Sequence, residues 1–152
     1  MKLTNRMCAL VIAMVLSMFV THFAVAADNY NYISIEQLKA RLDAGDYAKG
    51  SLSIVTTQTD KEYASGHLKE AIATFARPLE SDADFAKLDP FLKKIKGSSE
   101  DVVVICPRGK SGAERPYDYF VKSGVAEKRL LILKGGQEAY TKAYPNDVAY
   151  GK

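Results

Sequence analysis

The sequence predicts an α/β fold with a central, mainly parallel sheet of five strands and helices on both faces. Short apolar runs alternate along the chain with longer amphipathic segments, and this alternation is typical of parallel sheets covered by helices. The run Val102–Ile105 is β-branched at every position, which is the pattern of a central strand buried on both faces. These two observations favour a doubly covered sheet over an antiparallel one.

The elements are predicted in chain order from this alternation. The strands are Tyr32–Ser34, Leu52–Thr56, an edge strand near Ala73–Phe75, Val102–Ile105 and Leu130–Leu133. The helices are Ile35–Asp43, a short turn at Asp60–Ala64 that Asp60 caps, Asp82–Lys94 with a break near Pro90, Ala113–Ser123 and Gly136–Ala143. No internal repeat or second domain boundary is visible. Residues 27–152 are therefore predicted to form one domain.

The first 26 residues have the pattern of a secretory signal peptide. A basic start precedes an uncharged apolar run over residues 7–20, and Ala24-Val25-Ala26 matches the small-x-small site of signal peptidase. The apolar run is shorter than the roughly 20 residues that a membrane span needs. We predict cleavage, a mature chain from Ala27, export to a bacterial periplasm and no stable membrane insertion afterwards. An uncleaved membrane anchor is the alternative.

Composition narrows the function. Cleavage removes two basic residues, so the formal charge falls from +3 to +1, and a nearly neutral chain gives no electrostatic basis for binding nucleic acid. Cys8 and His22 lie in the signal peptide, which leaves one cysteine, Cys106, and one histidine, His67. That pair is too small for a zinc site, which takes three or four ligands, and we predict neither metal nor cofactor. An unpaired thiol in an oxidising compartment is either buried and inert or used.

The surroundings of Cys106 indicate that the thiol has a chemical function. Cys106 ends the valine-rich strand, a polar loop follows, and a helix is predicted from Ala113 with Pro116 within or just after its first turn. The loop residues are Pro107, Arg108, Gly109, Lys110, Ser111 and Gly112. Ligands of open α/β sheets bind at the carboxyl ends of strands. A helix N-terminus there offers unpaired N–H groups and partial positive charge.

This loop is predicted to bind an anion beside the sulfur. Gly109 and Gly112 should let the loop curl so that the amides of residues 108–112 converge, while Arg108 and Lys110 add positive charge at the rim. A thiol held in such a place becomes a better nucleophile. We predict Cys106 as the catalytic residue and the loop as the site for a persulfide or an anionic sulfur donor.

Four segments, in the same order, resemble the rhodanese-like sulfurtransferases. The six residues from Cys106 to Ser111 are similar to the family's active-site loop, Cys-x-x-Gly-x-x, after a valine-rich strand. Glu62–Ile72 resembles the E-Y-x-x-G-H-I-x-G-A-I segment, Leu130–Tyr140 the closing strand and its G-G helix start, and Ile33–Leu42 the opening strand and helix. The resemblance implies a rhodanese-like fold. It also implies a sulfurtransferase that moves sulfane sulfur from a donor such as thiosulfate to a thiol or cyanide through a Cys106 persulfide.

The chain departs from the family pattern near the loop. Thr56-Thr57-Gln58 stands where the family usually has Asp-x-Arg, which removes an ion pair that braces the active-site region. Pro107 removes one backbone donor from the loop, and Tyr140 replaces a tryptophan of the closing helix. These departures leave open a second interpretation, a non-catalytic sulfur carrier or a module that binds a periplasmic partner protein.

Two further interpretations are disfavoured. Phosphatases and arsenate reductases of related fold need Cys-x5-Arg, and here Gly112 occupies the arginine position. His67 has two interpretations, a general base for Cys106 or a structural histidine. The resemblance places it with the structural histidine of the family motif, away from the reactive loop.

Overall fold

The computed structural model describes residues 30–151 and confirms the α/β fold with a five-stranded sheet. The predicted signal peptide lies outside the described residues. The strands are β1 (Tyr32–Ile33), β2 (Leu52–Thr56), β3 (His67–Leu68), β4 (Ile72–Ala73), β5 (Asp101–Ile105), β6 (Leu130–Leu133) and β7 (Val148–Ala149). The central sheet has the order β1-β6-β5-β2-β4, and each neighbouring pair is parallel. β5 is therefore the middle strand.

Helices cover both faces of this sheet. They are α1 (Ile35–Asp43), α2 (Asp60–Ser65), α3 (Asp82–Ala86), α4 (Asp89–Lys96), α5 (Ser111–Lys122) and α6 (Gly136–Ala143), with single 3-10 turns at Glu127–Arg129 and Pro145–Asp147. Among residues 30–151, no helix has the length and apolar character to cross a bilayer.

Alternate residues of β5 point into two separate cores. Val102 and Val104 pack with residues of α4 and α5 on one face, whereas Val103 and Ile105 pack with residues of α1 and α6 on the other. All four side chains are fully buried. Burial on both faces explains why the strand is apolar at successive positions rather than at every second one.

Several element boundaries differ from the predictions by one or two residues, and the backbone near Pro90 and near Phe75 gives two examples. The predicted Asp82–Lys94 helix is broken as expected, but Pro90 lies in the first turn of α4, the place where a missing N–H costs least. The edge strand is Ile72–Ala73 rather than Ala73–Phe75. Phe75 has a φ of +52°, which lies outside the β region and ends the strand before it.

A capping box starts α2, and its N-cap is Thr59 rather than Asp60. The Thr59 hydroxyl accepts the N–H of Glu62, and the Glu62 carboxylate accepts the N–H of Thr59 at 2.8 Å. The prediction of Asp60 as the cap was wrong by one residue. The reciprocal bonds of this box satisfy two N–H groups and orient the Glu62 carboxylate.

A small second sheet, absent from the sequence prediction, closes the fold near α2. β3 and β7 pair antiparallel, with His67 opposite Ala149 and Leu68 opposite Val148. Strands of two residues are too short to show the alternation that a sequence reading depends on. The pairing places the end of the described chain beside α2, where the N–H of Gly151 donates to the carbonyl of Ala64 at 2.9 Å.

Tyr140 makes the stability of the fold sensitive to alkaline pH. Its side chain is fully buried, and its hydroxyl donates to Asp147 Oδ2 at 3.1 Å. Burial first, and this carboxylate second, raise the pKa of the Tyr140 phenol above its ordinary value of 10.0. The fold thus holds the neutral phenol, while the unfolded chain ionises near pH 10. The resulting stability is complete below about pH 10 and is lost as the pH rises beyond it.

We expect the free energy of unfolding in urea to fall between about pH 10 and 12, with a smaller slope in Tyr140→Phe than in the wild type. Tyr150→Phe is the matched control, because Tyr150 is 65% exposed and its substitution should leave the slope unchanged. Equal slopes for Tyr140→Phe and the wild type would contradict this assignment.

Candidate active site

Cys106 lies at the carboxyl end of the middle strand, with its sulfur turned toward the loop that follows. The residue is 3% exposed. Its Sγ accepts the N–H of Gly109 at an N···S distance of 3.1 Å and lies 3.8 Å from the carbonyl oxygen of Lys110. The thiol is therefore enclosed by its own loop, next to an amide donor.

A pocket of about 240 Å³ adjoins Cys106. The pocket is lined by Arg77, Cys106, Pro107, Arg108, Lys110, Ser111 and Gly112. Two clefts of about 500 and 450 Å³ are larger, but Cys106 lines neither. We place the candidate site in the smaller pocket because it alone of the three combines the thiol with positive charge.

The two loop glycines have different roles, which corrects the prediction that both curl the loop. Gly109 has a φ of +65°, and a Cβ there would lie 2.6 Å from the nitrogen of Gly135. Gly112 does not have a positive φ and instead lies in the first turn of α5, where a Cβ would lie 3.2 Å from the Cβ of Cys106. Gly109 supplies the left-handed conformation. Gly112 lets the helix start against the cysteine.

α5 begins at Ser111 rather than at the predicted Ala113, so Pro116 lies in its second turn and not near its first. A proline there removes the N–H that would donate to the carbonyl of Gly112. The Thr57 hydroxyl donates to this carbonyl instead, at 3.1 Å. Thr57 therefore replaces the missing helical bond and connects the end of β2 to the start of α5.

A neutral hydrogen-bond network occupies the place of the family's Asp-x-Arg pair. The Thr56 hydroxyl donates to Gln58 Oε1 at 3.0 Å. The Gln58 amide donates to the carbonyls of Glu62 at 3.2 Å and Gly66 at 3.0 Å. Both side chains are buried. The ion pair is lost, as the sequence indicated, but the region keeps a brace whose groups are cheaper to desolvate than charges.

Arg77 is the pocket residue that the sequence reasoning missed. It follows β4, and its Nη1 lies 2.9 Å from Glu62 Oε1. Its distance from Cys106 along the chain hides the proximity. A usable signal was that β4 ends at the same edge of the parallel sheet as β5, which places a cation shortly after β4 near the reactive loop.

Arg108 and Lys110 line the pocket. Arg108 Nε is 3.7 Å from Glu138 Oε1, but the two side chains are 69% and 67% exposed. This ion pair therefore contributes little to the stability of the fold. Lys110 is exposed and is the N-cap residue of α5.

The start of the loop is attached to the N-terminus of α6. The carbonyl of Cys106 accepts the N–H of Gln137 at 2.9 Å, and the carbonyl of buried Pro107 accepts the N–H of Glu138 at 2.9 Å. Helix N-terminal amides lack intrahelical partners, and here the loop supplies them. This attachment sets the height of the loop above the sheet.

His67 has structural contacts. Its Nδ1 lies 2.8 Å from the carbonyl oxygen of Tyr63, and its ring stacks on the Tyr63 ring with centroids 3.5 Å apart. It does not line the cysteine pocket. Within residues 30–151, no group of three or more His, Cys, Asp and Glu side chains is arranged to hold a metal ion.

The fold and the site define a class of protein: parallel α/β proteins that carry a cysteine where a strand ends in a loop and the next helix begins. A model of the Rhodanese-like domain matches residues 34–143. The chain belongs to the rhodanese-like domain family, which confirms the resemblance found in the sequence. A search of curated protein sequences gives no match.

Solved structures share the fold. The As-Sb reductase from Leishmania major is 20% identical with a TM-score of 0.62, covering 78% of this chain and 81% of that one. Ygr203w, a yeast protein tyrosine phosphatase of the rhodanese family, is 18% identical with a TM-score of 0.60, covering 82% and 94%. The rhodanese-like domain of Alr3790 from Anabaena is 19% identical with a TM-score of 0.58, covering 78% of both chains. These likenesses show the fold alone.

Proposed function

We propose that this protein is a sulfurtransferase that moves sulfane sulfur from a small anionic donor such as thiosulfate to a thiol or cyanide acceptor. The observation that carries the proposal is the position of the Cys106 sulfur. It accepts an amide N–H, and Cys106 lines a small pocket together with Arg77, Arg108 and Lys110. A nucleophile among cations and amides suits an anionic sulfur donor.

The reaction consists of two balanced displacements. The Cys106 thiolate attacks the outer sulfur of thiosulfate, the S–S bond breaks, and sulfite leaves with the bonding electrons. An acceptor thiolate or cyanide then attacks the outer sulfur of the Cys106 persulfide. The Cys106 thiolate leaves with that electron pair, and thiocyanate or a new persulfide is released. The persulfide intermediate predicts ping-pong kinetics, and neither step needs a cofactor.

The chain's own groups offset the negative charge in both steps. A dianion that approaches a thiolate is repelled, and the guanidinium groups and the Lys110 ammonium reduce this repulsion. The Gly109 N–H contacts Sγ in the resting protein and is placed to stabilise the persulfide anion, and the N-terminus of α5 adds partial positive charge beside it.

A phosphatase or reductase activity is less well supported, although two of the structural neighbours carry such names. The sequence offers no arginine at the sixth position after the cysteine, the residue on which that chemistry depends. Gly112 occupies this position, and a Cβ there would lie 3.2 Å from the Cβ of Cys106. The tight packing favours a loop without that clamp.

A non-catalytic sulfur carrier is the second candidate. Loss of the Asp-x-Arg pair supports it, while the neutral Thr56–Gln58 brace favours a loop still shaped for turnover. We propose that the protein acts in the periplasm, on the pattern of residues 1–26, and that a periplasmic partner protein accepts the sulfur.

The test is intact mass spectrometry of the mature protein before and after exposure to thiosulfate. We expect a gain of one sulfur atom, reversed by cyanide with release of one thiocyanate, and continued turnover when both substrates are present. Sulfur gain without turnover would favour the carrier. A chain that gains no sulfur, although a thiol reagent titrates Cys106, would contradict both.

Lys110→Ala should weaken an anionic donor in a salt-dependent way. The exposed ammonium acts mainly through long-range attraction. We therefore expect the KM of the variant for thiosulfate to be about fivefold above that of the wild type at low ionic strength, and the two KM values to become equal at about 0.5 M salt. Lys128→Ala is the matched control, because Lys128 is exposed in the turn before β6, at the opposite end of the parallel sheet. A silent Lys110→Ala at low salt would contradict the attraction.

A further inference from the structure

We propose that Arg77 determines donor specificity: its guanidinium binds the oxyanion end of the donor and selects dianions over monoanions. This inference deepens the proposed function and rests on it. Arg77 lies outside the reactive loop in sequence and has no counterpart among the motifs that identify the family.

Arg77 forms the wall of the pocket that the reactive loop does not form. All the other lining residues belong to the segment from Cys106 to Gly112, and Arg77 alone comes from elsewhere in the chain. The pocket holds only about 240 Å³, so a donor whose outer sulfur reaches Cys106 lies close to every wall. In thiosulfate the sulfonate oxygens are at the end opposite the outer sulfur. The loop therefore surrounds the reacting sulfur of the donor, and Arg77, which forms the remaining wall, faces the sulfonate oxygens.

The backbone around Arg77 is held firmly. Ala76 and Leu79 on either side are 0% and 1% exposed, and the N–H of Leu79 donates to the carbonyl of Ala76 at 3.0 Å. Arg115 donates to the carbonyls of Pro78 and Leu79, both at 3.2 Å. Arg115 belongs to α5, the helix that starts at the reactive loop, so one helix positions both sides of the pocket.

The Arg77 side chain is also oriented. Its Nη1 lies 2.9 Å from Glu62 Oε1, and Glu62 Oε2 accepts the N–H of Thr59 at 2.8 Å. Of the atoms of Glu62, Gln58 contacts the backbone carbonyl oxygen and not the carboxylate, so it does not compete with Arg77. A guanidinium has five N–H donors in a planar fork. Donors that Glu62 does not use suit two oxygens of one oxyanion.

Burial separates Arg77 from the other arginine of the pocket. The Arg77 side chain is 30% exposed, whereas that of Arg108 is 69% exposed. A half-buried charge is less screened by salt and solvent, and a side chain already held in place loses less entropy when it binds. Of the two, Arg77 is therefore the cation able to discriminate between donors.

The experiment compares two donors that differ by one charge. Thiosulfate is a dianion, and methanethiosulfonate is the monoanion in which a methyl group replaces one sulfonate oxygen. It transfers its outer sulfur in the same way and releases methanesulfinate. We expect Arg77→Gln to lower kcat/KM about tenfold for thiosulfate and less than about threefold for methanethiosulfonate. Arg77→Lys should fall between, because lysine keeps the charge but not the fork.

A second measurement needs no turnover. Sulfate should protect Cys106 from alkylation by neutral iodoacetamide, and half-protection of Arg77→Gln should need about tenfold more sulfate than that of the wild type. Melting temperatures identify a variant that fails to fold, and Arg77→Lys then provides the comparison. Lys128→Gln is the control for net charge.

The outcomes separate the two proposals. If wild type gains sulfur from neither donor, the proposed function fails, and unchanged sulfate protection in Arg77→Gln then overturns the anion site as well. If wild type transfers sulfur but both donors lose equally in Arg77→Gln, the specificity assignment alone is overturned.

Discussion

Serine in place of Cys106 is expected to abolish sulfur transfer while the fold persists. A hydroxyl is not ionised at neutral pH and cannot carry the transferred sulfur as a persulfide, so kcat with thiosulfate and cyanide should fall by at least about a thousandfold, to the uncatalysed background. The substitution changes size little, and the hydroxyl can still accept the N–H of Gly109 that now contacts Sγ. We expect a loss of stability below about 2 kcal/mol.

Intact mass and thermal unfolding check this together. Thiosulfate should add no sulfur to Cys106→Ser, because the predicted mature chain has no other cysteine, and the melting transition should remain cooperative. A Cys106→Ser protein that still turns over would remove the basis of the proposed mechanism. A protein that unfolds instead would show that the thiol is mainly a packing residue.

Gly136→Ala is expected to damage stability and activity at once, because Gly136 lies directly beneath the reactive loop. A Cβ there would lie 2.2 Å from the carbonyl oxygen of Cys106, 2.5 Å from the nitrogen of Gly109 and 2.7 Å from that of Arg108. All three atoms are backbone, which cannot move aside cheaply. Gly136 also has a φ of +62°, which costs alanine about 1–2 kcal/mol. We expect a total loss of about 3 kcal/mol or more.

Gly50→Ala is the matched control for the stability that alanine loses because of a positive φ alone. Gly50 has a φ of +71°, but a Cβ there meets nothing within 4 Å. It should lose only about 1–2 kcal/mol and keep full sulfur transfer. Urea unfolding and persulfide formation measure the two effects. If both variants lose the same stability and both keep activity, the loop does not depend on close packing over Gly136.

The sequence was most informative where burial is continuous. β5 is buried on both faces, so its apolar run could be recognised without any alternation, and the end of that run located Cys106. The start of α5 was predicted two residues late, because it depends on Gly112 packing against Cys106. Pro116 was placed too near the helix start because its compensating donor, Thr57, follows β2 and lies far from Pro116 in sequence. Contacts between β2 and α5 leave no local pattern.

The sequence by itself determined the class of fold and the place of Cys106 at the end of a strand, because backbone preference and the period of apolar residues are local properties. The family was indicated by the resemblance of four motifs. Only the tertiary structure brought Arg77, held by Glu62, to the pocket of Cys106, set Gly136 under the loop and showed a neutral brace in place of an ion pair. Each of these depends on chain segments far apart in sequence that packing of the parallel sheet brings to one edge. Short-range patterns carry no record of which distant residues will meet there.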